Sequence, residues 1–176
     1  MRIISGKYRG KAITLPGNFN ARPTTDFARE GLFNILENNF NIENLSVLDL
    51  FSGTGSISYE FASRGCRQVH LYEINRNHFR YIIKTIKDLR LEQVKAFNKD
   101  VFRSIPKIKT QFDIIFADPP YDLKEGKTIP DMIFSNELLK ANGWLILEHP
   151  GAYDFSNHEH FIKHRNYGSV HFSFFE

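Results

Sequence analysis

Short apolar runs and helically spaced apolar positions alternate along this chain. Apolar runs at 47–50, 69–72, 94–98, 112–117 and 144–147 read as strands. The run at 112–117 is apolar on both faces after Asp113, as a central parallel strand should be. Between the strands the period changes to that of helices. Thr24, Thr25 and Asp26 are N-cap residue types, and Phe27, Gly31, Leu32, Ile35, Leu36 and Phe40 follow at helical spacing. A second helix is predicted over 56–63, with Gly65 placed as a C′ glycine. Asn75 caps a third, with Phe79, Ile82, Ile83, Ile86 and Leu89 inward. Pro130 suits the first turn of a helix ending near Asn142 and Gly143. The tail alternates over 160–165 and 170–175 around Tyr167 and Gly168, which predicts an antiparallel hairpin.

Strands alternating with helices predict an α/β fold, a doubly wound, Rossmann-like domain. Five strands plus the hairpin give a mostly parallel seven-stranded sheet with a C-terminal antiparallel pair. Residues 1–22, broken by Gly6, Gly10, Pro16 and Gly17, stand outside this pattern and read as a small β-hairpin or extended arm. The expected division is therefore an extension over 1–22 and a main domain over 23–176.

Composition narrows the class. At 176 residues, 41% hydrophobic and 24% charged, the chain can bury a real core and is not a disordered protein. No apolar run approaches the roughly 18 residues of a membrane span, and no apolar stretch follows the basic start as a secretory signal would require. Cys66 is the one cysteine, which excludes an internal disulfide and fits a reducing cytoplasm. His158, His160 and His164 form a loose cluster that no cysteine joins, so no metal site is expected. The net charge is +3, but its distribution is uneven. Residues 1–30 hold Arg2, Lys7, Arg9, Lys11, Arg22 and Arg29 against Asp26 and Glu30, six against two, for +4. A basic arm on a near-neutral body is the footprint of a phosphate-binding appendage.

Two motifs carry chemistry. In the first, a strand runs through Asp49 and Leu50 into Phe51, Ser52, Gly53, Thr54 and Gly55, then into a helix. The glycines let a ligand approach the backbone. A dinucleotide site would want a third glycine where Ser58 stands, and Asp49 would repel a pyrophosphate. A cationic amine or sulfonium suits Asp49 better, and S-adenosylmethionine carries both. Glu73, twenty residues past Gly53, is placed to accept hydrogen bonds from ribose hydroxyls. Asp100, at the third strand's end, either meets the adenine amine or caps a helix.

The second motif is Asp118, Pro119, Pro120 and Tyr121, directly after the central strand. An exocyclic base amine is a poor nucleophile because its lone pair is conjugated. The Asp118 carboxylate and Pro119 carbonyl could accept its two protons and favour a pyramidal nitrogen. Two prolines fix the backbone in advance. Tyr121 offers a stacking face worth about 1–3 kcal/mol. Glu148 and His149, at the fifth strand's end, either line this cleft or cap it.

Together the segment 47–58, Glu73, Asp118 to Tyr121 and the segment 21–36 around Arg22, Pro23 and Thr24 resemble the small-subunit rRNA methyltransferase D family, bacterial 16S rRNA guanine-N(2) methyltransferases. The opening 1–13 and the tail with Lys163, Arg165, Tyr167 and Gly168 are similar to it too. The resemblance implies a class I S-adenosylmethionine-dependent methyltransferase domain. It implies that Asp49, Phe51, Ser52, Gly53, Thr54, Gly55, Glu73 and Asp100 bind the cofactor and that Asp118 to Tyr121 hold the guanine. It also implies that the N-terminal arm, with Arg2, Lys7, Arg9, Lys11 and Arg22, contacts 16S rRNA, free or within the assembled small subunit.

Three other readings stay open on the sequence. A DNA adenine or protein glutamine amine methyltransferase would use a similar four-residue motif. A nicotinamide-dependent oxidoreductase leaves Asp118 to Tyr121 unexplained. A noncatalytic RNA-binding module would show no cofactor affinity.

Overall fold

Thr25 starts the first helix: its hydroxyl accepts the Ala28 amide at 3.1 Å, and α1 runs Asp26–Asn39. The computed structural model describes residues 1–15 and 24–176. From α1 the chain proceeds through β1 (Ser46–Leu50), α2 (Ser56–Ser63), β2 (Gln68–Tyr72), α3 (Arg76–Asp88), β3 (Val94–Phe97), α4 (Val101–Ser104), β4 (Phe112–Ala117), α5 (Ile129–Ser135), β5 (Leu139–His149), β6 (Phe161–Tyr167) and β7 (Val170–Phe175).

The strands form one seven-stranded sheet in the order β3-β2-β1-β4-β5-β7-β6. The first five are parallel, and β7 joins β5 and β6 antiparallel. The expected fold class is the observed one. Strand order reverses direction between β1 and β4, so their carboxyl ends border the crevice where open α/β sheets bind ligands.

Alternation along the strands sorts the core into two layers. Val47, Val69, Ile114, Phe116 and Ile146 pack on the side of α1, α2 and α3. Leu48, Leu50, Ile115, Ala117 and Leu147 pack on the side of α4 and α5. Gly65 closes α2 with a positive φ of 85°, and the Cys66 amide reaches back to the Phe61 carbonyl at 3.1 Å. This is the Schellman arrangement expected of a C′ glycine. Among the described residues, no helix is long and apolar enough to cross a membrane.

Three expectations need correction. The helix opened by Pro130 stops at Ser135, not near Asn142 and Gly143. Glu137 turns the chain with a φ of 52°, and buried Leu138 gives its carbonyl to the Phe112 amide at 2.9 Å. The chain thus joins β4 early, pairing Phe112 with Leu139, and then jumps register to pair Ile114 with Trp144. Phe27 does not face the core. The buried stripe of α1 is Ala28, Leu32 and Leu36, flanked by Arg29 and Phe33. Phe27, about 100° around the helix from Ala28, stays 68% exposed and sets its ring edge-on to Tyr167. Arg29 does not add to a basic surface. It is buried, its guanidinium donating to the Arg2 carbonyl at 2.6 Å and to Asp26 at 2.7 Å.

The N-terminal residues form a hairpin-like loop held by the Arg2–Ala12 bridge. Ile3 and Ile13 are buried in the α1–α3 layer. The backbone amides of Ile4 and Ser5 both donate to the Glu60 carboxylate of α2, at 2.9 and 3.0 Å. The loop is thereby fastened along the flank of α2.

Candidate active site

A cleft of about 720 Å³ opens at the carboxyl edge of the sheet, over β1 and β4. Of the candidate cofactor residues, Asp49, Phe51, Ser52, Gly53, Thr54, Glu73 and Asp100 line it. Asp118, Pro119, Pro120 and Tyr121 line it as well. Gly55 stands just behind, where it begins α2 with a φ of 80°. A side chain there would meet the Tyr59 ring at 2.5 Å, so this position requires glycine twice over. Phe51 also takes a left-handed φ, 62°, a conformation costly for a non-glycine and often kept at functional sites. Its ring packs edge-on to that of Phe102, which also lines the cleft.

Glu73 braces the glycine turn. One oxygen accepts the Gly53 amide at 2.8 Å and the other the Asn75 amide at 2.7 Å. A carboxylate has about four acceptor sites, so capacity remains for a ligand. Asp100 caps α4 by accepting the Arg103 amide at 2.8 Å, and it also lines the cleft.

Three acids stand on one face at the ends of adjacent strands. Asp49 of β1 pairs in register with Phe116 of β4, and Phe116 with Ile146 of β5. Asp118 and Glu148 lie two residues further on and therefore share that face. Asp49 is buried and accepts the Ser58 hydroxyl at 2.5 Å. Ser58, at the dinucleotide fingerprint's third glycine position, is thus committed to Asp49. Burial pushes the Asp49 carboxyl up to about 7, aided by the nearby Glu73 charge and opposed by the Ser58 and Ser52 hydroxyls. Asp118 lies well above the carboxylate range, first through burial and then through Glu148 and Asp49. Glu148, also buried, is raised to about 7. Its Oε2 accepts the Thr24 hydroxyl at 3.0 Å and its Oε1 the Tyr121 hydroxyl at 3.4 Å.

The basic residues fall elsewhere. Lys7, Arg9 and Lys11 are exposed and line no part of the cleft. The tip of the loop rests on the far end of α2, where the Lys7 amide donates to the Ser63 carbonyl at 2.7 Å. The cleft lies at the near end, about 12 Å away by the rise of an eight-residue helix. Arg2 pairs with Asp26 at 3.2 Å, and Arg22 lies outside the described residues.

Sequence reasoning missed Ile74 and Phe102 as cleft residues. Ile74 is 61% exposed yet faces the cleft beside Glu73. The signal was available: each is an apolar residue just past an acidic strand end. His149 lies on the opposite face to Glu148, bonded to the Ser173 hydroxyl at 2.8 Å. His158 pairs with Asp131 at 3.3 Å, and His160 stacks on Phe134. Among the described residues no three His, Cys, Asp or Glu side chains converge as metal ligands would.

The family model described as Conserved hypothetical protein 95 matches residues 1–176. Ribosomal RNA small subunit methyltransferase D of Buchnera aphidicola (subspecies Baizongia pistaciae) is 32% identical over 148 residues, covering 84% of this chain and 75% of its own. The chain belongs to this methyltransferase D family. The Escherichia coli K12 member is 33% identical over 145 residues, covering 82% of this chain and 69% of its own. The solved structure of Escherichia coli yhhF superposes with a TM-score of 0.86 at 26% identity, over 99% of this chain and 96% of that one. That structure thus matches nearly the whole chain described here, from the N-terminal loop to the terminal hairpin.

Proposed function

We propose that the cleft binds S-adenosylmethionine and that the protein methylates the exocyclic N2 amine of a guanine in small-subunit rRNA. The carrying observation is the row of Asp49, Asp118 and Glu148 on one face of β1, β4 and β5, with Asp118 leading into two prolines. The named relatives support rRNA as the substrate class.

The residues fit the cofactor's chemistry. Asp49 is an anion for the cationic amino acid end. Glu73 meets the ribose hydroxyls, Asp100 the adenine amine, and Ile74 and Phe102 give apolar walls for the ring. S-adenosylmethionine supplies a methyl group made electrophilic by its sulfonium. The Asp118 carboxylate and the Pro119 carbonyl accept hydrogen bonds from the amine and aim its nitrogen. Pro119 is buried against Gly126, which keeps that corner fixed. Tyr121, half-exposed at the rim, stacks on the base, which must be single-stranded or flipped to enter. Catalysis comes chiefly from holding nitrogen and methyl at near-attack distance. Asp118 stands where it can take the proton the amine sheds. The basic loop extends the RNA-binding surface beyond the cleft.

The test is transfer of tritiated methyl groups to rRNA and to assembled subunits, followed by nucleoside analysis. The expected product is N2-methylguanosine. Label on adenosine, or no transfer to either RNA, rejects the proposal.

A further inference from the structure

Glu148 is the acid of the cleft that the transfer chemistry leaves without a task. It follows Leu147, which pairs with Ala117, so Glu148 stands beside Asp118 across about one strand spacing, near 4.8 Å. It is only 4% exposed. Among the described residues no cation pairs with it within salt-bridge distance; only the hydroxyls of Thr24 and Tyr121 hold it. Both partners line the cleft. A buried carboxyl without a cation is costly, and a plain strand-end cap does not need one. Glutamine would satisfy the same two hydroxyls.

An ionised carboxylate accepts hydrogen bonds and cannot donate them. Guanine presents two adjacent donors on its Watson–Crick edge, the N2 amine and N1–H. Adenine presents its amine beside a bare N1 lone pair. With the amine held at Asp118, a guanine whose N1 edge faces β5 brings its N1–H to Glu148. We propose that Glu148 accepts the N1–H of the target guanine and so selects guanine over adenine. This deepens the guanine-N2 reading and rests on it. Thr24 and Tyr121 pre-aim the carboxylate, so little ordering is left for the moment of binding.

The experiment uses the full chain and rRNA carrying 2-aminopurine at the methylated position, once mass mapping of nuclease fragments has located it. This base keeps the N2 amine, carries a lone pair in place of N1–H and lacks O6, so the role of Glu148 is read from how the ratio changes between wild type and variant. Wild-type enzyme is expected to prefer guanine by about 10- to 100-fold in kcat/KM, the range of one charged hydrogen bond. Glu148→Gln, whose amide can donate to the bare nitrogen, should shrink that preference about tenfold or more. Its S-adenosylhomocysteine affinity should be unchanged. An equal loss on both RNAs, with the ratio unmoved, overturns the specificity role and leaves Glu148 a support for Thr24 and Tyr121. If Glu148→Gln does not fold, the same ratio measured for Glu148→Ala decides: a ratio unmoved from wild type overturns the role and one shrunk about tenfold upholds it. Absence of N2-methylguanosine rejects the guanine-N2 reading and this role with it, whereas N2-methylguanosine with an unmoved ratio rejects this role alone.

Discussion

Glu73 reaches across twenty residues of sequence to accept the Gly53 amide at 2.8 Å. The acid at the end of β2 thereby shapes the turn at the end of β1, and one side chain both braces the glycine turn and lines the cleft. Glu73→Ala should therefore weaken S-adenosylhomocysteine binding about 10- to 100-fold, as loss of a charged hydrogen bond implies. It should also lower the melting temperature, because the Gly53 and Asn75 amides lose their acceptor. Calorimetric titration and a thermal melt measure both. Unchanged affinity would remove Glu73 from the cofactor site.

Cofactor affinity should depend on Asp49 ionisation. Burial raises its carboxyl to about 7. A raised carboxyl makes the folded state hold more protons than the unfolded one between about pH 4 and 7. The stability of the neutral form is thus present at low pH and is lost as pH rises through 7. A cationic ligand prefers the ionised form, so affinity moves the opposite way. S-adenosylhomocysteine should bind about tenfold more weakly at pH 6 than at pH 8. Titration across that range tests this, and Asp49→Asn should flatten the profile.

Asp118 is expected to separate binding from transfer. Asp118→Ala should keep S-adenosylhomocysteine affinity within a few-fold and abolish methyl transfer. Because Asp118 is raised by burial and by its acidic neighbours, its ionisation costs stability as pH rises. Asp118→Asn should accordingly raise the melting temperature more at pH 8 than at pH 5. Turnover at the wild-type rate would refute the role given to Asp118.

The basic loop should act on RNA alone. Replacing Lys7, Arg9 and Lys11 by glutamine should weaken rRNA binding and reduce its salt dependence. The slope of log K against log salt should fall by roughly 0.7–0.9 for each phosphate no longer neutralised. Cofactor affinity should stay the same. An unaltered salt slope would show that these charges face only solvent.

Local signals made most of the cleft legible in advance. Strand ends, glycine turns and the Asp118 corner each announce themselves within a few residues, and parallel-sheet topology then brings them to one edge. Pairings between distant segments were not legible. Thr24 meets Glu148 across 124 positions, so no local pattern could tell whether Glu148 lined the cleft or capped it. Arg29 reads in the sequence as one more surface charge, because its burial depends on Asp26 and the distant Arg2 carbonyl together. The helix expected over 136–143 fails for a similar reason. Apolar Leu138 and Leu139 fit helical spacing, but backbone pairing with Phe112 claims them for the sheet.

Glu60 carries a further consequence. Buried on α2, it takes the Ile4 and Ser5 amides and pairs with Arg64 at 2.9 Å, with Arg29 4.0 Å away. Peeling the N-terminal loop away would strip this anion of two donors and open it to costly rearrangement. The loop is therefore an outrigger bolted to the hull rather than a tentacle that gropes for its ligand. It keeps a set span between Lys7 at one end of α2 and the cleft at the other, so the two cannot drift apart while α2 stays folded.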